Sequence, residues 1–282
     1  MPELPDLLYI KDYLDRSAVG SNVREVSVRR PVVMRNTLQK TPSDALRGRT
    51  LAAVEIHGPF LRFSFPPDVD VIINLMLSGR LHHQQHREKT PGYLCASLHF
   101  SRGDALHLCD DQQMAKIYLV ATGDFTAIPS YAGQGIDILS AGFSLDAFKA
   151  LAEKHRRKQV RVMINDHAIL SSIGNAYADE ILFEAGIHPK TIVARLSPAE
   201  VENLFAAIGR VMAWGAGKVR DAGQPIHIKV RDHMRVRNRH GAPCPRCGTK
   251  IRREGVRGYD VYFCPRCQPA TRKLFIDWKE GN

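Results

Sequence analysis

The rhythm of hydrophobic and polar positions changes twice along the chain. Over the first 16 residues, Leu7, Leu8, Tyr9, Ile10 and Leu14 recur at roughly helical spacing and predict a helix. Short apolar or alternating runs follow: Leu51–Ile56, Leu61–Phe65, Val69–Leu77, Tyr93–Phe100, Ala105–Leu108 and Ile117–Val120. Gly, Pro and Asp separate them, which is the texture of a β-sandwich or barrel. From about residue 145 the period lengthens again and predicts helices over Phe143–Lys154, Ile173–Ala185 and Pro198–Trp214. Ser197, Pro198 and Glu200 open the last of these as a capping box with proline at the first helical position. Gly186-Ile187-His188-Pro189 breaks the helical pattern, and beyond the helices Arg235, Val236, Arg237 and Tyr259–Phe263 alternate as hairpin strands do.

Composition narrows the class. The chain has 282 residues, of which 44% are hydrophobic and 24% charged, so it can bury a core, and neither disorder nor low complexity describes it. No apolar stretch approaches the ~18 residues of a membrane span, and Met1-Pro2-Glu3 is not the basic opening of a secretory signal. A cytoplasmic protein is expected. The net charge of +11 is unevenly placed: residues 1–217 hold 24 Lys/Arg against 23 Asp/Glu, whereas residues 218–282 hold 16 against 6. A segment charged in this way attracts polyanions, although a solvated basic tail is the plainer alternative.

Four of the six cysteines lie in that same segment. Cys244, Cys247, Cys264 and Cys267 form two C-P-R-C arms separated by 16 residues. Such arms suit tetrahedral thiolate coordination of one structural Zn2+, each as a tight knuckle with a hairpin between them. Disulfides are the weaker alternative for a protein of a reducing compartment. Cys95 and Cys109 sit in apolar strand-like runs and are expected to be buried and inert.

Three features resemble one family: Met-Pro-Glu-Leu-Pro at residues 1–5, Ile173-Gly174-Asn175-Ala176-Tyr177-Ala178-Asp179-Glu180 followed by Ala185-Gly186-Ile187-His188-Pro189, and the terminal cysteine hairpin. In this order they look like the formamidopyrimidine-DNA glycosylase and endonuclease VIII family, and the resemblance covers nearly the whole chain. It implies an α+β multidomain fold: an N-terminal β-sandwich with its helix over residues 1–135, a helix–two-turn–helix domain over 136–238, and a zinc hairpin with its tail over 239–282. The implied activity is that of a bifunctional DNA glycosylase and AP lyase of base excision repair. Its implied partner is duplex DNA carrying a damaged base, of the oxidised kind, or an abasic site, bound by a monomer associated with the nucleoid.

By that resemblance Pro2 is the nucleophile. Removal of Met1 exposes a secondary amine with a pKa near ~8, neutral often enough to attack the deoxyribose C1′. Glu3 matches the catalytic carboxylate, a role that calls for a raised pKa. Asn175 corresponds to a phosphate-clamping Asn, and Arg161 stands where a phosphate-binding Lys is expected; a solvated surface Arg is the alternative for Arg161. Leu77 and Met114 occupy the apolar intercalation positions. The departures concern damage recognition. Asp6 replaces the usual Glu, Pro59 replaces a hairpin Lys, and Gln112 and Gln113 replace two arginines, leaving Gln112 to hydrogen-bond the orphaned base. Tyr259 replaces a phosphate-gripping Arg, with Arg257 two residues earlier. The loop between Trp214 and Met234, which covers the flipped base in this family, is expected to be mobile because it holds Gly215, Gly217, Gly223 and Pro225. These losses leave open a damage-binding protein of the same fold with little excision. An unrelated zinc-ribbon RNA-binding protein would leave the motifs at Pro2 and Asn175 unexplained.

Overall fold

The structure is a computed structural model that describes residues 1–85, 92–256 and 258–270. Its chain divides into two compact units: Met1–Gly135 with Gly215–Val230, and Ile136–Trp214 with the described residues from Arg231 onward.

The first unit contains helix α1 (Leu4–Ser17), strands β1 (Val23–Val28) and β2 (Met34–Asn36), and the short helix α2 (Pro42–Leu46). Seven strands follow: β3 (Ala53–His57), β4 (Phe60–Phe65), β5 (Val69–Asn74), β6 (Arg80–Gln84), β7 (Leu94–Phe100), β8 (Ala105–Cys109) and β9 (Lys116–Ala121). They form a four-stranded antiparallel sheet in the order β1-β7-β8-β6 and a five-stranded sheet in the order β2-β9-β5-β4-β3, in which only β2 and β9 run parallel. Leu81, Phe100 and Leu106 of one sheet share a core with Phe63, Ile73 and Leu119 of the other, and α1 adds Leu7, Ile10 and Leu14. This is the expected sandwich. Burying each such side chain contributes about 1.5–3 kcal/mol, so the inward faces hold the two sheets together.

Three strands of this unit are absent from the apolar pattern and all are edges: β1 and β6 of the four-stranded sheet and β2 of the five-stranded one. Arg24, Glu25 and Arg80 face water there, as charges on a sheet edge do, and mask the alternation. The run expected as Val69–Leu77 ends earlier, at Asn74. The Asn74 carboxamide oxygen accepts the Met76 N–H at 2.9 Å, and Met76 takes a left-handed φ of 48°, turning the chain before Leu77.

The second unit contains a parallel pair of two-residue strands, β10 (Ile136–Asp137) and β11 (Leu170–Ser171), and helices α3 (Leu145–Lys154), α4 (Val160–Ile164), α5 (Asn175–Ala185) and α6 (Pro198–Ala222). The antiparallel hairpin of β12 (Arg252–Val256) and β13 (Tyr259–Phe263) completes it. Gly186 ends α5 at a left-handed φ of 71°, which glycine adopts without steric cost. The capping box at Ser197 forms as expected: Ser197 N–H donates to the Glu200 carboxylate at 2.7 Å, and Glu200 N–H donates to Ser197 Oγ at 3.3 Å. Helix α6 runs past Trp214, its expected end. Leu204, Ile208, Val211, Gly215 and Val219 continue one buried stripe, and that burial offsets the ~1 kcal/mol that each interior glycine costs.

Arg235–Arg237 do not form a strand, contrary to their alternation. Their three consecutive N–H groups donate to one oxygen of the fully buried Glu180 carboxylate, at 3.0, 2.8 and 3.0 Å. A carboxylate has taken the donors that a neighbouring strand would use.

Candidate active site and nucleic-acid interface

Proline at the second position of α1 sets its start, because Pro5 there gives up no intrahelical hydrogen bond. Glu3 is the N-cap residue and 7% exposed; its own N–H donates to Asp6 at 2.8 Å. Asp6 thus holds the backbone of Glu3 in place despite being shorter than Glu. Pro2 is buried and lines a small cavity with Asp6, Leu75, Gly79, Ile226 and Lys229. The Met1 amine approaches the Leu77 carbonyl at 3.5 Å, and Lys229 Nζ donates to that same oxygen at 2.9 Å. The N-terminus, the Leu77 turn and the segment after α6 therefore meet at one place. That segment is tied down further by Tyr9 OH, which donates to Gln224 O at 2.8 Å, and by His82 and His227, whose Nδ1 atoms lie 3.1 Å apart.

Beside this place lie the two apolar residues expected to wedge into DNA. Leu77 is 59% exposed at the tip of its turn, and Met114 is half-buried in the loop after β8. Asp110, 3% exposed, organises that loop: one oxygen accepts Gln112 N–H at 3.0 Å and the other accepts Ala115 N–H at 2.7 Å. Burial pushes the Asp110 carboxyl up, but hydrogen bonds from Ser78, Ala115, Gln112 and Met114 outweigh it and hold the group below the usual carboxylate range. Gln112 is exposed, and Gln113 is held at φ 54°. Pro59 stands in the β3–β4 turn, where His57 Nε2 lies 2.8 Å from the Tyr131 carbonyl oxygen.

In the second unit Asn175 opens α5. Its Oδ1 accepts Arg161 Nη2 at 2.9 Å and Asn165 Nδ2 at 3.1 Å, which uses both oxygen lone pairs and turns its NH2 away from them. The helix N-terminus there carries partial positive charge, and an amide donor beside it suits a phosphate. Arg161 is not a solvated surface residue. It is 2% exposed, and its Nε donates to Asp179 at 3.0 Å. Asp179 also accepts Arg237 Nη1 at 2.8 Å; desolvation nonetheless pushes its carboxyl up to about 6, with the two guanidinium groups pulling against that rise.

The cysteine arms come together as their spacing implies. The ligand atoms of Cys244, Cys247, Cys264 and Cys267 all lie within 4.8 Å of one another, with S–S separations of 3.8, 3.5 and 3.4 Å among the pairs in contact. Tetrahedral thiolates ~2.3 Å from zinc stand about 3.8 Å apart, so the set fits one ion. Hydrogen bonds from Thr249 draw the Cys247 thiol down to about 6, whereas burial pushes the Cys264 and Cys267 thiols up, so without a metal the four do not ionise together. Cys264 and Cys244 join Phe183, Val236, Ile251 and Tyr262 in one core, so the metal knuckles are packed on α5. Cys95 and Cys109 take no part, and burial pushes the Cys109 thiol up to about 11. Tyr259 is 57% exposed at the start of β13, and Arg257 lies outside the described residues.

Residues 1–117 match the formamidopyrimidine-DNA glycosylase N-terminal domain, residues 135–221 its H2TH domain, and residues 241–270 the zinc finger found in FPG and IleRS. The formamidopyrimidine-DNA glycosylase of Symbiobacterium thermophilum is 31% identical over 98% of this chain and 92% of its own. That of Desulfitobacterium hafniense is 29% identical over 95% of this chain and all of its own. The chain belongs to the formamidopyrimidine-DNA glycosylase family. Its fold is that of the Thermus thermophilus MutM (Fpg) protein, with a TM-score of 0.81 and 28% identity over 95% of this chain and 98% of that one. The Lactococcus lactis Fpg mutant in complex with Fapy-dG-containing DNA shares the fold at a TM-score of 0.84 and 21% identity, covering 95% of this chain and all of that one. The FPG-type finger with its four clustered cysteines holds one structural zinc.

Several residues that shape this glycosylase-family site left no local signal in the sequence. Lys229 and Ser78 act through contacts between distant segments and stand in no apolar period or spaced motif, and Asp110, although it opens the stretch that holds Gln112 and Met114, shows its role only through its contacts. Asp179 and Glu180 lie inside the quoted Asn175 motif, but their buried work became visible only with their Arg partners.

Proposed function

We propose that this chain carries out the glycosylase and AP lyase chemistry of its family through its own Pro2 and Glu3, on duplex DNA with an oxidised base or an abasic site. Family membership gives the activity class, a DNA glycosylase with AP lyase activity of base excision repair. The single observation that carries the residue assignment is the meeting of Pro2, buried in its cavity, with the anchored first turn of α1 and the exposed Leu77 turn. Once Met1 is removed, the Pro2 nitrogen lone pair attacks C1′ of the flipped nucleotide. The C1′–base bond breaks, the base departs with its electron pair, and the proton given up by the Pro2 nitrogen neutralises it. Glu3 supplies a proton to the ring oxygen as the sugar opens, leaving an iminium between Pro2 and C1′. That iminium acidifies the C2′ proton; its loss expels the 3′ phosphate, and a second elimination releases the 5′ phosphate. Water then hydrolyses the Schiff base and frees Pro2.

The DNA-holding roles are proposed alongside. Asn175 donates its NH2 to a phosphate at the α5 N-terminus. Arg161, committed to Asn175 and Asp179, serves by fixing that amide. Leu77 and Met114 fill the space of the flipped nucleotide, Gln112 meets the orphaned base, and Tyr259 with Arg257 contacts backbone from the zinc hairpin. The named relatives all carry the name of the excising enzyme, which favours excision over damage binding alone. No described helix is long and apolar enough to cross a membrane; association with the nucleoid through DNA belongs to this proposal. A panel of duplexes, each with one oxidised base or an abasic site, scored for strand cleavage tests the assignment. Cleavage that falls sharply in Pro2→Gly, which keeps only a primary amine there, and vanishes in protein retaining Met1 is the expected result, and undiminished cleavage by either sinks it.

A further inference from the structure

The two turns that carry the wedges are joined by a contact with no part in the chemistry. Ser78 Oγ donates to Asp110 Oδ1 at 2.5 Å, bridging the Leu77 turn to the loop of Gln112 and Met114. Next to it, Gly79 lies so close to that loop that a Cβ there would stand 2.8 Å from the Ala115 Cβ and 2.5 Å from the Leu75 carbonyl oxygen. Each turn contains a non-glycine residue in the left-handed region, Met76 at φ 48° and Gln113 at φ 54°. Such backbone persists only where surrounding contacts over-determine it. Asn74 holds the first through the Met76 N–H, and Asp110 holds the second through N–H groups on both sides. The Leu77 carbonyl in turn receives Lys229, and Gly79 lines the cavity that holds Pro2, a juxtaposition that survives removal of Met1.

We propose that Ser78 is a positioning residue for lesion recognition: through Asp110 it locks the Leu77 and Met114 wedges into one rigid element registered to the N-terminus. This rests on the wedge roles proposed above. A flipped or missing nucleotide leaves a gap of fixed size, and two wedges held at a set separation fill it without being ordered at the moment of binding. Unlocked, each wedge must be ordered separately, and the loss falls on DNA that offers a gap, not on undamaged duplex.

The test is a double-mutant cycle. Wild type, Ser78→Ala, Met114→Ala and the double variant are titrated with a duplex holding a stable abasic analogue and with its undamaged counterpart, at one salt concentration. A hydrogen bond to a carboxylate sets the scale, so Ser78→Ala should weaken binding to the abasic duplex by about tenfold or more. Binding to undamaged duplex should stay within about twofold, and Ser78→Ala should cost clearly less on the Met114→Ala background than alone, since only the Leu77 wedge is then left to unlock. Ser78→Thr keeps the hydroxyl and should bind as wild type does. Equal losses on both duplexes, additive losses in the double variant, or a folded Ser78→Thr as weak as Ser78→Ala would each overturn the lock. Should Ser78→Ala unfold, the Thr variant and its own cycle with Met114→Ala carry the test. Borohydride trapping by the wild type reads Pro2 separately: its absence would overturn the lyase assignment and leave the lock to the binding cycle, which needs no covalent step.

Discussion

The zinc-hairpin end of the chain and the first turn of α1 use charge in opposite ways. Toward the C-terminus the formal excess is large, yet much of it is spent inside the second unit. Arg235 pairs with Glu180 at 3.0 Å and Glu184 at 2.8 Å, Arg237 with Asp179 at 2.8 Å, and Arg246 with Glu184 at 2.7 Å. Around Pro2 the overall balance is nearly neutral, and the residues given wedge or gap-filling roles are uncharged, Leu77 and Gln112 exposed and Met114 half-buried, with Arg80 and Lys229 lining the cavity beside them. Formal charge is therefore a poor guide to presented charge. The cations of one region fold the protein, while the uncharged groups of the other are those proposed to read a lesion.

Breaking the metal site should have the largest effect. Chelation, or Cys264→Ser, removes a site whose binding energy is of the order of 10–16 kcal/mol, and the packing of Cys264 with Phe183 and Tyr262 goes with it. Circular dichroism and limited proteolysis should show the hairpin lost and the sandwich retained, together with weakened DNA binding; protein purified without chelator and lacking stoichiometric zinc would contradict the site.

Next in size, Asp179→Asn leaves the buried Arg161 guanidinium without its counter-charge and should cost about 3–5 kcal/mol in urea unfolding. A loss under ~1 kcal/mol would show that the network is not load-sharing. The α5 motif was readable from Asn175 to Glu180 through its resemblance to the family, and the zinc set through its spacing. Its partners were not. The alternation of Arg235, Val236 and Arg237 is the pattern of a strand, and only a carboxylate 55 residues away in sequence makes it a loop around Glu180. The sandwich was legible through its central strands, whereas β1 and β6 hid because edge strands expose charge. Helix α6 was cut short at Trp214 because two glycines outweighed, locally, a buried stripe that continues to Val219.

A smaller effect sharpens the contrast directly. Arg235→Ala should lower stability by about 1–3 kcal/mol while changing the salt slope of DNA binding by much less than the ~0.9 of one phosphate contact. A slope reduced by a full contact would mean that Arg235 faces DNA after all. In the neutral region the counterpart is Met114→Ala, which should weaken binding to abasic duplex by about tenfold and leave undamaged duplex nearly unchanged. Equal losses on both would make it a packing methionine.

The mildest perturbation is acid. The folded-state pKa of Asp110 lies below its ordinary value, so its contribution is fully present above that value and is lost as pH falls through the ordinary carboxylate range and below. Hydrogen exchange of the Gln112 and Ala115 amides should stay protected at neutral pH and rise in that acid window. Protection that fails instead on the alkaline side would contradict the role given to Asp110.

The central claim, that an N-terminal proline performs the chemistry, is tested most directly by borohydride trapping on a duplex with an abasic site, which bypasses the altered residues Pro59, Gln112 and Gln113. The account predicts a covalent protein–DNA adduct that maps to the N-terminal peptide. Pro2→Gly should move or abolish the adduct, and Glu3→Gln should slow excision of an intact damaged base by ~10²–10⁴-fold while still trapping on the opened sugar. Tight binding of the abasic duplex by protein with a free N-terminal Pro2, with no adduct formed, would contradict it.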